Sequence, residues 1–410
     1  MKQTRNNNGS VLVLLSISLV MIFTMMAIVL DLGIMVSTHN ELQNAADSAS
    51  LAAASQLVDE DVLTGSANLT DDIIEARAYA EQFASYNVAA KRTLAVDRND
   101  ANDASGGVVV GYIDNPLDIN DAIQTSGVTN YNSVQVQADL TNTLNGPLSM
   151  LLGAFSGKSQ IAMRAQATAT LEDRIAGFTL GPNETLPMLP FAAYAGAWED
   201  ALVSGPDNYR VVNGQVQSGS DGIPELTLYP YRYNIGVPGT RGNVGTIFIS
   251  MVVGTSYVNN QIYDGMTAGD LATIDELLLV DNGGGGLSQW LPGENWMSSS
   301  WHYSLRNIRG EPRIMALYTA ISSNNPTAYA DPSQFDEPMS DLPSVETCCA
   351  IQQYYKATEF KAVTVVDSTW SSNSNYIRFV VQPTQITSDS AVVNPDAPHS
   401  ELIYTLSLTR

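Results

Sequence analysis

The pattern of apolar and polar positions changes most sharply near the N-terminus, where one long apolar run lies between two polar segments. Residues Val11–Leu30 read VLVLLSISLVMIFTMMAIVL and include no charged side chain. A helix needs about 20 such residues to cross the hydrocarbon core of a bilayer, where its backbone groups must bond one another. The run therefore predicts a transmembrane helix at 11–30 that follows a short basic tail at 1–10.

The charges that flank this run predict its orientation. Lys2 and Arg5 precede it, and Asp31 follows it. Positive charge tends to stay on the cytoplasmic side of a membrane, so we expect the N-terminus inside and residues 31–410 outside. The run is also longer than the apolar core of a secretory signal peptide, which favours an anchor that is not cleaved.

The helical pattern continues from Asp31 to about Val58 without a proline. Small side chains recur there at the i, i+3, i+4 spacing of one helix face. Small residues let helices approach closely, so we expect this face to pack on another helix or on the protein's own sheet. The residues of this predicted packing face are Leu42, Ala45, Ala46, Ala49, Ala52 and Ala53.

This helix opens a predicted α+β domain at residues 31–180. Apolar and polar positions alternate as in strands that bury one face. Thr70 as an N-cap, followed by Asp71 and Asp72 in the first turn, predicts the start of a second helix. The expected elements are helices at Thr70–Arg92 and Pro147–Phe155 and strands at Val108–Ile113, Ser133–Leu140 and Ser159–Leu171.

Residues 181–410 differ in composition, since short apolar strands, aromatic residues and glycines dominate after the segment Gly181–Pro190. We expect a mainly β domain there, which makes the whole chain α+β. Its predicted elements are a helix at Asp270–Leu279 and strands at Val244–Val253, Pro312–Ile321, Phe360–Asp367 and Tyr376–Gln382.

Composition narrows the classes of function. The chain has 410 residues, of which 44% are hydrophobic and 15% charged, as is typical of proteins with ordered cores. Its 42 acidic residues exceed its 19 basic ones, so the field of the protein repels phosphate backbones and disfavours nucleic-acid binding. The acidic surface is explained by solubility or by attraction of divalent cations or basic partners.

Residues that could carry chemistry are few. Cys348 and Cys349 are adjacent, which leaves open a vicinal disulfide, an intermolecular bridge or two buried thiols. The chain's histidines, His39, His302 and His399, form none of the spacings of a metal site. We therefore expect no cofactor, no metal and no catalytic set.

Aromatic residues cluster in a predicted loop at Gly286–Tyr303. Grouped aromatic side chains can stack on sugars or anchor a partner, and they can equally close a loop over a core. Both interpretations stay open. If the aromatic residues bind a ligand, the chain is an extracytoplasmic glycan- or cation-binding surface module. The residues concerned are Trp290, Trp296, Trp301 and Tyr303.

The N-terminal motifs together resemble a known family. Gly9 before the apolar run, Asp31-Leu32-Gly33 at its end and LQNAADSASLAAA at Leu42–Ala54 are similar to the start of TadG-like proteins of the bacterial Tad (Flp-type) pilus-assembly group. The resemblance is clearest over residues 1–60. It implies a single-pass inner-membrane protein, pilin-like in its long helix, with a structural or accessory role in assembling or anchoring Flp pili.

The same resemblance implies partners and excludes catalysis. The expected partners are the lipid bilayer and pilus-assembly or other envelope proteins, reached through the N-terminal helix. The oligomeric state stays open. Type IV pilins carry a glutamate shortly after their processing site, whereas Leu14 stands at that position if the cut falls near Gly9–Ser10. Processing of the pilin type is therefore not expected.

Overall fold

The structure, a computed structural model, describes most of the chain. The described residues are 8–58, 63–64, 69–118, 120–128, 130–151, 153, 158–229, 242–249, 254–274, 277–281, 286–294, 297–323, 353–371 and 376–409. They form two compact units. Unit 1 comprises Met1–Leu57, Leu69–Thr170 and Ser407–Arg410, and unit 2 comprises Val58–Asn68 and Leu171–Leu406. The domain boundary after residue 180 stays a prediction.

Two helices open unit 1. Helix α1 spans Asn8–Ala54 and ends in a 3-10 turn at Ser55–Leu57, and helix α2 spans Leu69–Ser85. Asp71 and Asp72 lie in the first turn of α2, where negative charge stabilises the positive end of the helix dipole. The sequence therefore located both helices, although α2 is shorter than predicted.

Helix α2 stops before Arg92 because the chain turns back on itself. Ala90 and Lys91 have positive φ angles of 50° and 64°, which a helix cannot contain. They form the turn between two short paired strands, β1 at Val88–Ala89 and β2 at Arg92–Thr93. The last turn of the predicted helix is thus a hairpin.

The sheet of unit 1 is antiparallel, as expected for a sheet with one face on a helix. Strand β4 pairs on one side with β3 and on the other with β7, with Val136 opposite both Val108 and Ala167. The predicted strand at Ser133–Leu140 is confirmed at the same bounds. The strands are β3 Val108–Gly111, β4 Ser133–Leu140, β5 Leu148–Ser149, β6 Gln160–Ile161 and β7 Met163–Glu172.

The helix predicted at Pro147–Phe155 is wrong where the structure describes this segment. Leu148–Ser149 is strand β5, which pairs with β6, and the amide of Met150 donates to the carbonyl oxygen of Ser159 at 3.0 Å. Asn145 and Gly146, with φ angles of 61° and 71°, direct the chain into this pairing. The apolar spacing that suggested a helix face belongs to a β-hairpin.

Unit 2 is mainly β, which confirms the α+β class and the β-rich C-terminal region. Its helices are α3 Ala195–Ser204, α4 Thr255–Asp264, α5 Ala268–Leu271 and α6 Trp301–Asn307. Its strands are β8 Ile175–Phe178, β9 Thr185–Leu186, β10 Met188–Tyr194, β11 Tyr209–Val212, β12 Gln215–Ser218, β13 Leu226–Leu228, β14 Val244–Ile247, β15 Met266–Thr267, β16 Leu277–Leu278, β17 Val280–Asp281, β18 Leu287–Glu294, β19 Pro312–Ser323, β20 Gln353–Ser371, β21 Tyr376–Pro383, β22 Ile386–Thr387, β23 Ala391–Val393 and β24 Ile403–Leu408.

The largest sheet of unit 2 has eight strands in the order β13-β21-β20-β19-β10-β14-β18-β17. An additional pairing of β18 with β20 closes five of them into a ring. All neighbours are antiparallel except β10 and β19. Buried aromatic rings fill the core, with the centroids of Phe191 and Phe379 5.3 Å apart. This unit buries most of the large side chains of the described chain.

Two segments of unit 2 differ from the sequence prediction. The helix expected at Asp270–Leu279 begins earlier, at Ala268, because Thr267 and Asp270 form a capping box. Its predicted second half is strand β16, in which Leu277 pairs with Phe178. The loop expected at Gly286–Tyr303 is instead strand β18 followed by the start of helix α6.

Candidate membrane anchor and partner interface

The first half of α1 exposes large apolar side chains along its length. Fractional exposures there run from 48% at Leu30 to 70% at Met25. Among the described residues, α1 is the one helix long and apolar enough to cross a membrane. An apolar surface of this size marks a contact with lipid or with another protein. Helix α1 therefore could span a bilayer.

The polar residues inside this run are satisfied within the helix. Each hydroxyl donates to the carbonyl oxygen four residues earlier, at 2.8–2.9 Å. A hydroxyl bonded in this way leaves no unsatisfied donor in an apolar medium. The residues concerned are Ser16, Ser18 and Thr24. They are compatible with a membrane environment.

Asp31 ends the apolar run, and the fold removes its side chain from the surface. It is 6% exposed, and its Oδ1 accepts a hydrogen bond of 2.8 Å from the amide of Leu151. Apolar exposure then continues past it, with Leu32 and Val36 each 54% exposed. The acidic residue therefore does not interrupt the outward apolar surface of α1.

The predicted packing face lies inside unit 1. Helix α1 packs there against α2 and β4. On α2, Ala76, Ala80 and Ala84 are fully buried at a spacing of four residues, so small side chains meet small side chains and the helices approach closely. Leu42, Ala45, Ala46, Ala49 and Ala53 are fully buried, and Ala52 is half-buried.

Polar side chains around this face hold α1 to the rest of unit 1. Glu41 accepts from the amide of Ala90 at 2.9 Å. Asn87, at the end of α2, donates to the hydroxyl of Ser48 at 2.9 Å. The second half of α1 is thus fixed by the chain's own elements, and the large exposed apolar side chains of α1 lie at 11–36.

The aromatic residues singled out from the sequence do not share one environment. Trp301 is 2% exposed, and its Nε1 donates to the carbonyl oxygen of Thr255 at 3.1 Å. Trp290 is half-buried on β18, and Tyr303 is 66% exposed on α6. Trp296 lies outside the described residues. A buried, hydrogen-bonded Trp301 serves the core, so it does not offer a stacking surface.

The adjacent cysteines, Cys348 and Cys349, also lie outside the described residues. Their redox state and any role stay predictions. Among the residues that the structure does describe, no three His, Cys, Asp or Glu side chains are grouped to hold a metal ion. His39 is exposed on α1, and His399 lies 2.7 Å from Asp173.

One polar cluster in unit 2 has residue types that catalysis uses. Nδ1 of His302 lies 3.0 Å from the hydroxyl of Ser368. Burial and the charge of Arg306 lower the pKa of His302, while Asp367 opposes them. Ser368 is only 3% exposed. The pair joins α6 to β20.

Glu294 is a second buried ionisable group. It is 3% exposed, and burial raises the pKa of its carboxyl. Its Oε2 has no hydrogen-bond partner among the described residues. A carboxyl in this setting favours its neutral form. The hydroxyl of Tyr355 donates to the Glu294 backbone carbonyl oxygen at 2.8 Å.

Sequence reasoning missed the bond between Asp31 and Leu151, which joins residues 120 positions apart. A signal was present, since a lone acidic residue directly after a membrane-length apolar run requires a partner or water. The identity of that partner depends on the hairpin of β5 and β6, where a helix was predicted. The tertiary contact could not be found without the correct local structure.

The N-terminal helix matches a known family model. Residues 9–56 match the Tad family model, described as "Putative Flp pilus-assembly TadE/G-like". The matched segment is nearly the whole of α1, and it confirms the resemblance seen in the N-terminal sequence. Searches of the curated proteins and of the solved structures each gave no match. With a helix that could span a membrane, the match indicates a membrane-anchored protein related to pilus assembly.

Proposed function

We propose that this chain is a single-pass protein of the bacterial inner membrane with a structural or accessory role in the assembly or anchoring of Tad (Flp-type) pili. One observation carries the proposal. The segment 9–56 that matches the Tad family model contains both an outward-facing apolar half and a half packed in its own domain. A helix built this way can hold a folded body at a membrane.

Charge distribution supports the proposed orientation. Lys2 and Arg5 precede the apolar run, and every acidic residue of the chain lies at Asp31 or beyond. Positive residues close to a span favour the cytoplasm. The N-terminus then faces the cytoplasm, and residues 31–410, which carry all the acidic residues, lie outside it.

The first half of α1 supports a role in contacting other envelope proteins. Its side chains are exposed, while the small-residue face at 42–53 is occupied by α2 and β4. Pilus-assembly proteins with membrane helices are partners that this surface fits, because apolar helices associate in lipid by close packing. The Tad family is a structural and assembly family, so we propose a role without catalysis.

Topology and pathway can be tested in the native bacterium. A tag after Thr409 and a second tag before Lys2 should respond oppositely to protease added to spheroplasts. We expect cleavage of the chain after the span and protection of the N-terminal tag. Protection of the whole chain would contradict the proposal.

A second experiment tests the pilus role. Photo-crosslinkers at Leu19 and Ile22, both exposed on α1, should capture pilus-assembly proteins in cells that make Flp pili. Deletion of the gene should reduce the number of pili, and the unchanged chain should restore them. Normal piliation in the deletion strain would rule out a required role in assembly.

A further inference from the structure

Leu151, which follows β5 in the hairpin of β5 and β6, lies beside the point where the apolar run of α1 ends. Leu151 and Lys158, described residues on the two sides of the turn, are called the hairpin tip. The amide of Leu151 is 2.8 Å from the carboxylate of Asp31. Backbone bonds close the tip itself, since Met150 donates to Ser159 and Lys158 donates to Gly153, each at 3.0 Å. A residue 120 positions along the chain is therefore held at the level of Asp31.

This tip exposes the side chains that a membrane surface accepts. Leu151 is 66% exposed, and Lys158 is exposed on the opposite strand of the tip. On α1, Leu32, directly after Asp31, and Val36, one turn later, are each 54% exposed. These side chains extend the apolar surface of α1 beyond residue 30.

We propose that the hairpin tip (Leu151 and Lys158) and the α1 segment at 32–36, together called the membrane seat, rest in the interfacial layer of the leaflet from which α1 emerges. The occupant of this surface is the lipid bilayer itself. The inference rests on the proposed membrane anchoring and adds a second contact point, formed by the folded domain.

The lengths agree with this placement. At 1.5 Å per residue, the apolar surface from Val11 to Val36 is about 39 Å long. The hydrocarbon core is about 30 Å thick, and the bilayer with its headgroups is about 40 to 45 Å thick. When the run at 11–30 fills the core, the segment at 32–36 and the adjoining Leu151 reach the headgroup layer.

Charge within the membrane seat fits the same placement. Asp31 would be costly at the edge of the hydrocarbon, and the hairpin covers its carboxylate. Lys158 can extend its ammonium toward lipid phosphates while its methylene chain stays among apolar groups. The hairpin thus buries the unfavourable charge and presents the favourable one.

The test uses the full chain in vesicles of phosphatidylcholine and phosphatidylglycerol. Cys348 and Cys349 are replaced by Ser, and a single cysteine at Leu151 carries a polarity-sensitive fluorophore. We expect its emission to shift to the blue on reconstitution. Lipids spin-labelled near the headgroup end of the acyl chain should quench it, and aqueous iodide should quench it weakly.

Two matched sites separate the possible outcomes. A probe at Ile22, within the apolar run, reports whether the span inserts, and a probe at Leu117, an exposed leucine in the turn after β3, should respond to iodide alone. If the lipid quenches the probe at Ile22 but the probe at Leu151 behaves like that at Leu117, the proposed membrane seat is wrong, while the proposed transmembrane anchor is supported. If the lipid does not quench Ile22, the proposed anchoring fails as well.

Amide hydrogen exchange of the unlabelled chain shows whether the hairpin stays folded, independently of the probe at Leu151. In the unlabelled chain, the Leu151 amide should exchange slowly with deuterated solvent in vesicles and in detergent, because Asp31 accepts its hydrogen bond. Slow exchange combined with loss of quenching at Leu151 would overturn the proposal. Slow exchange combined with lipid quenching supports it.

Discussion

The two halves of α1 belong to one unbroken helix but follow opposite rules. Between Val11 and Leu30 the side chains are large and apolar, and they are exposed. Between Leu42 and Ala54 they are mostly small, and the alanines of the packing face are fully buried except Ala52. The helix therefore hides its smaller side chains and displays its larger ones.

That difference indicates two different surroundings. In water, the hydrophobic effect buries the largest apolar side chains first, so the first half of α1 is not built for water. Small residues serve close approach of helices, which the contact with α2 provides in the second half. In the proposed anchoring, the first half of α1 has its apolar partner outside the chain, whereas the second half packs within unit 1.

The change from exposed large apolar side chains to a buried small-residue face begins within two helical turns. Asp31 and Thr38 are buried, with exposures of 6% and 3%, whereas Leu32 and Val36 between them remain exposed. One side of α1 already contacts unit 1 at residue 31, while the other side is still apolar and outward-facing. This segment is the expected position of the membrane surface.

The largest difference between the two halves of α1 is expected when a charged residue is introduced into each of them and membrane retention is compared. Replacing both Ile17 and Ile22 by Asp adds about 3 kcal/mol each to the free energy of membrane insertion, or about 6 kcal/mol together. The protein should then leave the membrane pellet after carbonate washing. Asn44→Asp, on the exposed side of the second half, is the control and should stay in the pellet. Equal membrane retention of the Ile17/Ile22 double variant and Asn44→Asp would contradict the claim that only the first half of α1 lies in the membrane.

Enlarging the buried face should destabilise the fold without affecting insertion. Ala49 is fully buried, so Ala49→Leu adds volume to a closed contact and should lower the free energy of unfolding by about 2 to 3 kcal/mol. Ala52→Leu, at a half-buried site one turn along, should cost less. Thermal unfolding of the full chain in detergent measures both, with membrane retention as the control for insertion.

Identical unfolding temperatures for Ala49→Leu and wild type would show that the contact with α2 can open freely. In that case the face at 42–53 would also be available to bind a partner protein. Lowered stability together with unchanged membrane retention would instead sharpen the distinction between the two halves.

The junction at Asp31 gives a smaller effect. Asp31→Ala removes the acceptor for the Leu151 amide, at a cost of about 1.5 kcal/mol for a hydrogen bond to a charged group. Amide exchange in the hairpin at 148–161 should accelerate, while α2 stays protected. Asp31→Asn keeps an acceptor oxygen and should restore most of the protection. Unchanged exchange in Asp31→Ala would show that the hairpin is held by other contacts.

The smallest effect is expected within the apolar run. Ser16→Ala and Ser18→Ala remove hydroxyls whose bonds lie inside α1, so each should change insertion or helix association by less than about 0.6 kcal/mol. Crosslinking yields and membrane retention should match those of wild type. A strong loss of crosslinking in either variant would reveal a hydrogen bond to a partner helix.

The sequence was sufficient where a pattern was long and local. Apolar composition predicts the helix at 11–30, alternation predicts the strand at Ser133–Leu140, and these local patterns together predict the α+β class. Short segments failed where distant residues decide the structure. Leu148–Ser149 pairs with Gln160–Ile161 as a hairpin, although its own spacing fits a helix.

The site was predicted only in part, for the same physical reason. Composition identified the small residues of α1 but left open what covers them, because α2 and β4 become neighbours only after folding. The sequence predicts one loop for the aromatic residues, whereas strand pairing and the core place Trp290 on β18 and Trp301 inside unit 2. Burial of a side chain depends on the whole fold, which local spacing does not contain.

The most direct test of the central claim, that one half of α1 lies in lipid and the other in its own domain, uses native methyl groups. The methyls of Ile22 and Ala49 are labelled for NMR in the full chain, held in nanodiscs whose lipids carry an acyl-chain spin label. The Ile22 signal should broaden strongly, and the Ala49 signal should stay sharp. A sharp Ile22 signal, or an Ala49 signal broadened as strongly as that of Ile22, would contradict the claim.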